Sequence, residues 1–189
     1  MKRDTSLILK ALSNEPSLEG AFARPASKAE LPFSLYPEGL PLGALTQILG
    51  PGSTEAILTL FSEQPAHKMA WVEQRLTAYP PGFVQRGANL NCLLFVEGGE
   101  HFSWALAQLL RSQLFKVVVA ASPLRGDGIE LALRRLQLAA EHSGTAMILA
   151  AECEGPLWPL RLRLQARLEE GKVILSRRDD SLELKEVAS

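Results

Sequence analysis

Leu45-Thr46-Gln47-Ile48-Leu49-Gly50-Pro51-Gly52-Ser53-Thr54-Glu55-Ala56-Ile57 decides how this chain is read. An apolar run of strand length meets a Gly-Pro-Gly-Ser turn, and a helix-like stretch follows. A phosphate-binding loop has this place and outline, with the pattern G-x-x-x-x-G-K-[ST]. Backbone N–H groups, a Lys ammonium and a magnesium-binding hydroxyl hold a triphosphate there. Gly50 supplies the first glycine, but Glu55 stands at the second, Ala56 at the lysine and Ile57 at the hydroxyl. Two of the three chemical elements are missing, and a carboxylate stands where phosphate charge would be received. The stretch predicts a nucleotide-binding scaffold without its nucleotide. Taken alone, so degenerate a loop is more often a plain strand-to-helix turn, in which Gly and Ser supply permissive dihedrals and an N-cap. Its place after the first strand of an alternating series favours the first reading.

Working outward, strand-like runs occur at Leu45–Leu49, Met69–Val72, Cys92–Val96, Val117–Ala121 and Ala146–Ala151. Helical patterns separate them at Thr54–Glu63, in a broken piece around Leu76–Arg86, at His101–Leu114 and at Ile129–His142, where Ser143-Gly144 marks a stop. Continuous apolar strands flanked by helices predict an α/β fold with a mostly parallel sheet covered on both faces. Leu160–Ala166 alternates strictly, and Val173–Ser176 follows the turn Glu169-Glu170-Gly171-Lys172. That pattern predicts a C-terminal antiparallel hairpin at the sheet edge. Residues 1–43 hold a short helical pattern at Ser6–Leu12 and then a Pro/Gly-rich stretch, read as an N-terminal arm and linker. Residues 44–178 are the predicted core domain and 179–189 a charged tail.

The chain has 189 residues, 47% of them hydrophobic, enough for one domain with a core. A net charge of -1 argues for neither nucleic acid nor membrane. Cys92 and Cys153 lie outside any metal or redox spacing and read as buried thiols. No run approaches the roughly 20 apolar residues of a spanning helix, so the expected location is the cytoplasm. His67, His101 and His142 lack metal-site spacing, and no metal or cofactor is expected. Glu73 ends a strand-like run and could be a general base, although an exposed or salt-bridged residue is the favoured reading. Arg161 and Arg163 fall on one strand face by the two-residue period. With Arg177 they could contact nucleic-acid phosphates, against the plainer reading of a solvated face. Trp71 and Trp104 read as core, and Trp158, between prolines, as a partner anchor or a residue buried under the hairpin.

In order, these pieces resemble the core of RecA-like proteins from about Gly39 to Ser176. Leu49–Thr54 is similar to the start of the Walker A segment, and Ala70-Trp71-Val72-Glu73 looks like the next strand. Gly87-Ala88-Asn89-Leu90-Asn91-Cys92-Leu93-Leu94 is similar to the family's approach to its third strand. Ala105–Ser112, ending in Arg-Ser, is similar to the following helix, and Val117–Ser122 takes the Walker B position. Leu40–Gly50, Leu133–Gly144 and the Leu160–Leu164 strand look most like the ImuA-type RecA homologues of SOS mutagenesis. That resemblance implies an accessory role in error-prone translesion synthesis. Its implied partners are a Y-family-like polymerase homologue, an alternative replicative polymerase subunit and RecA itself. It also implies a lost catalytic apparatus: Ala56 and Ile57 in Walker A, Ala121 at the Walker B acid and Arg75 at the catalytic Glu position. The expected activity is therefore recognition, with no reaction and no cofactor. Three alternatives stand beside it. They are a SulA-like inhibitor of the tubulin-like division GTPase, a nucleotide binder using backbone amides alone, and a DNA-binding module using Arg161, Arg163 and Arg177.

Overall fold

The computed structural model describes residues 30–125, 128–150 and 159–178. Two short strands, β1 (Glu30–Leu31) and β2 (Leu40–Pro41), pair antiparallel at its start. Then follow β3 (Ala44–Leu49), α1 (Ser53–Glu63), β4 (Met69–Glu73), α2 (Pro80–Gln85), β5 (Leu93–Glu97), α3 (Phe102–Arg111), β6 (Val117–Ala120), α4 (Ile129–Ser143), β7 (Ala146–Leu149), β8 (Leu162–Glu169) and β9 (Lys172–Arg177). The last seven strands form one sheet in the order β5-β4-β6-β7-β3-β8-β9. Every pairing is parallel except the closing β8–β9 hairpin.

The sequence periods explain this arrangement. Val117–Ala120 and Ala146–Leu149 are buried at every position, as strands covered on both faces must be. In α1, Ala56, Ile57, Leu60 and Phe61 fall at i, i+1, i+4 and i+5, one stripe turned to the sheet. They join Phe83 of α2 in a core on one face, while Phe102, Leu106 and Leu110 of α3 and Leu133, Leu136 and Ala140 of α4 form the core on the other. Connections moving toward the β5 edge carry their helices on the first face, and those returning carry them on the second. A single crossover hand requires that division. On the first face Phe61, Trp71, Phe83 and Phe95 interlock, with Trp71–Phe83 and Phe83–Phe95 edge-to-face at 5.2 and 4.9 Å.

Element ends obey local chemistry. Pro80 and Pro81 open α2, where a missing N–H costs nothing. Gly144 closes α4 in the left-handed region, as the Ser143-Gly144 stop predicts. The hairpin turns on Glu170-Gly171, both at positive φ, the class whose twist matches the strands. Residues 30–43 carry Leu31, Phe33, Tyr36 and Leu40 into the same core as α1. No helix among the described residues is long and apolar enough to cross a membrane.

Candidate functional site

The turn at Gly50 joins β3, an inner strand, to α1 at the carboxyl end of the sheet. Open α/β sheets hold ligands at that end. Gly52 has φ 108° and ψ -4°, Pro51 precedes it, and Ser53 N–H donates to Gly50 C=O at 3.1 Å. These are the marks of a type II β-turn, which needs a glycine at its third position. The first helical bond follows at once, Ala56 N–H to Gly52 C=O at 2.9 Å. The connection from β3 to α1 is thus a single four-residue turn.

Strand β8 fills the space beside the turn. A Cβ on Gly50 would lie 2.2 Å from Gln165 Nε2 and 2.5 Å from the Ala166 carbonyl oxygen, and one on Gly52 3.3 Å from Leu168 Cγ. Ser53 is half-buried and Thr54 exposed at the mouth. Glu55 pairs with Arg86 at 2.5 Å. Ala56 and Ile57, at the lysine and hydroxyl positions, are wholly buried in the core between α1 and the sheet. They serve packing.

At the neighbouring strand ends, Ala120 is buried and Ala121 donates its N–H to Val72 C=O at 2.8 Å. Gln74 N–H donates to Ser122 Oγ at 2.8 Å, tying β4 to the segment after β6. Arg75 is exposed. Glu73 differs from its favoured reading as an exposed or salt-bridged residue. It is 7% exposed, and its carboxylate accepts from Trp71 Nε1 at 3.0 Å, Ala78 N–H at 3.1 Å, Thr77 Oγ1 at 3.2 Å and Thr77 N–H. Burial pushes its pKa up, but the donors from Thr77, Trp71 and Ala78 outweigh burial and hold the carboxyl below its ordinary range. Such a carboxylate is a structural acceptor, with its lone pairs engaged in folding the segment that leads to α2. Beside it lies a cleft of about 430 Å³, lined by Thr54, Glu55, Trp71, Glu73, Tyr79 and Arg86 among others.

The arginines do not form one stripe. β8 begins at Leu162, so Arg161 lies in the bend before the strand and escapes its alternation. Arg161 and Arg177 line a polar cleft of about 250 Å³ with Glu30, Tyr36 and Glu38. There the Tyr36 hydroxyl donates to Glu38 at 2.8 Å. Burial and then the Glu38 carboxylate raise the Tyr36 pKa, partly opposed by the Arg177 guanidinium. Arg163 lies on the other face of the sheet, donating from Nε to Gln47 Oε1 at 3.0 Å. Trp158 and Cys153 lie outside the described residues. Cys92 is a half-buried free thiol. Among the described residues, no group of three His, Cys, Asp or Glu side chains gathers as a metal site would.

Trp71 is buried, as its strand position implies, but Trp104 is 64% exposed. The signal was in the helix itself. Phe102, Leu106 and Leu110 mark the buried stripe at i, i+4 and i+8, and Trp104 falls about 200° from Phe102 at 3.6 residues per turn. Comparison with family models and with curated protein sequences finds no match to this chain.

Proposed function

We propose that this chain is a non-catalytic RecA-like protein, a cytoplasmic accessory acting through protein contacts in error-prone translesion synthesis during the DNA-damage response. The observation that carries the reading is the filled turn at Gly50. A triphosphate site needs open space, a cation and a hydroxyl. At this turn Gln165 and Ala166 of β8 lie close against Gly50, and Ala56 and Ile57 give the two chemical positions to the core. The parallel sheet with its strand–turn–helix at the carboxyl end supports a nucleotide-binding ancestry, and the C-terminal hairpin fits the same resemblance. The proposed partners are those the resemblance implies: a Y-family-like polymerase homologue, an alternative replicative polymerase subunit, and RecA.

The test is retention on the immobilised full chain. Purified polymerase components, RecA, the tubulin-like division GTPase and single-stranded DNA are offered separately. Retention of a polymerase component or RecA supports the reading. Retention of the division GTPase alone overturns it in favour of a division inhibitor, and salt-sensitive retention of DNA alone in favour of a DNA-binding module. Calorimetry with Mg-ATP is the companion measurement: micromolar binding lost on Ser53→Ala would remove the pseudo-ATPase half of the proposal.

A further inference from the structure

α3 and α4 lie side by side over the second core, and their outer ridges stand apart. Between them runs a groove of about 470 Å³. Small side chains open it: Ser103 and Ala107 from α3, and Ala132 beside Leu136 from α4. Trp104 forms the α3 rim, with Arg111 two turns further along the same ridge. Arg135 stands on the α4 rim between Leu131 and Leu138, which are 56% and 47% exposed. Among the described residues neither Arg111 nor Arg135 has an ion-pair partner. The acid lining the groove, Glu100, sits at one mouth and is paired with His101 at 3.6 Å.

This surface combines an exposed Trp, guanidinium groups without ion-pair partners among the described residues and an apolar floor. Trp and Arg are the side chains that dominate binding energy at protein interfaces. An open Trp, with two exposed leucines on the neighbouring helix, would otherwise be a liability to the free chain. The groove lies between two helices, so a third helix can lay an apolar ridge along it. The charges choose the partner's sign. A second copy docking by the same surface would bring a second pair of arginines to the contact, whereas carboxylates would meet both Arg111 and Arg135 with opposite charge.

We propose that the α3–α4 groove docks an acidic amphipathic helix of a partner protein. The helix's apolar side seats on Ala107, Ala132 and Leu136 against Trp104, and its flanking carboxylates meet Arg111 and Arg135. The proposal rests on the reading of the chain as a protein-binding accessory and names the chemistry of its partner.

Fluorescence anisotropy of the full chain with a labelled synthetic helix tests it. The probe has about 16 residues, some four turns, with Leu at i, i+3, i+4 and i+7 and Glu on both flanks. A matched probe carries Lys in place of Glu. The acidic probe binds about tenfold more tightly or better, Trp104→Ala loses about tenfold, and Arg111→Glu with Arg135→Glu reverses the preference between probes. Melting curves of the variants confirm that they fold. Equal binding of both probes, or binding indifferent to Trp104→Ala, overturns the proposal. So does a dimer in sedimentation that Trp104→Ala dissociates, which would make a second copy the occupant. So does acidic-probe binding that appears only after removal of residues 179–189, which would make the chain's own acidic tail the occupant. If the probes fail while the chain still retains a polymerase component, the groove falls and the proposed function stands. Probe binding without any polymerase component or RecA retained gives the converse.

Discussion

The turn at Gly50 and the groove between α3 and α4 belong to one sheet and show opposite uses of side-chain volume. At the turn, side chains are packed tightly: Gln165 and Ala166 crowd Gly50, and Ala56 and Ile57 are wholly buried. In the groove, Ala107 and Ala132 leave room between the helices, Trp104 stands open and two guanidinium groups lack ion-pair partners among the described residues. Exposed aromatic and basic side chains stand at the second place. The difference teaches that a site's backbone outline and its chemistry are separable, since the outline is fixed by packing and the chemistry by a handful of side chains.

The most disruptive way to probe this contrast is to place a lysine at the position the phosphate-loop pattern gives it. Ala56→Lys places an unpaired ammonium among Phe61, Ile57 and the sheet, and is expected to cost roughly 5 kcal/mol or to unfold the chain. Thermal unfolding reads the cost, and Mg-ATP titration should show no gain of binding. Gly50→Ala follows, at about 3–4 kcal/mol, because φ is 93° and the new methyl would overlap Gln165 and the Ala166 carbonyl. If it is tolerated within about 0.5 kcal/mol, the turn is looser than described and its closure is in doubt.

Glu73→Gln comes next, at about 2 kcal/mol near neutral pH, since it weakens charge-assisted acceptance from Trp71, Thr77 and Ala78. The sign with pH is definite. Glu73 has a lowered pKa when folded, so its contribution is present above the ordinary carboxyl value and is lost as pH falls through the folded value. The gap between wild type and Glu73→Gln in urea midpoints should therefore close as pH falls below about 4. A gap independent of pH would assign the loss to packing alone. The smallest effect belongs to Trp104→Ala, within about 0.5 kcal/mol of wild-type stability because the ring is mostly exposed. A large destabilisation would make Trp104 a packing residue and remove the contrast between turn and groove.

Much of this architecture was legible one residue at a time. Val117–Ala120 and Ala146–Leu149 declare doubly covered strands because every side chain is apolar and strand-length, and Glu170-Gly171 supplies the tight turn that a hairpin needs. Trp104 reads as core by residue type, yet the period of Phe102, Leu106 and Leu110 already places it opposite them. Glu73 is a different case. A lone carboxylate after an apolar run looks like a solvated strand end, and nothing local reveals that Trp71, Thr77 and Ala78 converge on it. Arg161 lost its place beside Arg163 because β8 starts one residue later, and alternation has no meaning outside the strand.

The sequence by itself determined the alternating α/β order, the parallel sheet, the closing hairpin and the absence of Lys and hydroxyl at 56 and 57. Those depend on period and residue type, which are local properties. Only the tertiary structure decided that β8 fills the turn at Gly50, that the Glu73 carboxylate is buried and fully engaged, and that Trp104, Arg111 and Arg135 share one groove. Each of these joins residues far apart in the chain or on separate elements, and side-chain volume and hydrogen bonding settle such meetings only once the layers are packed.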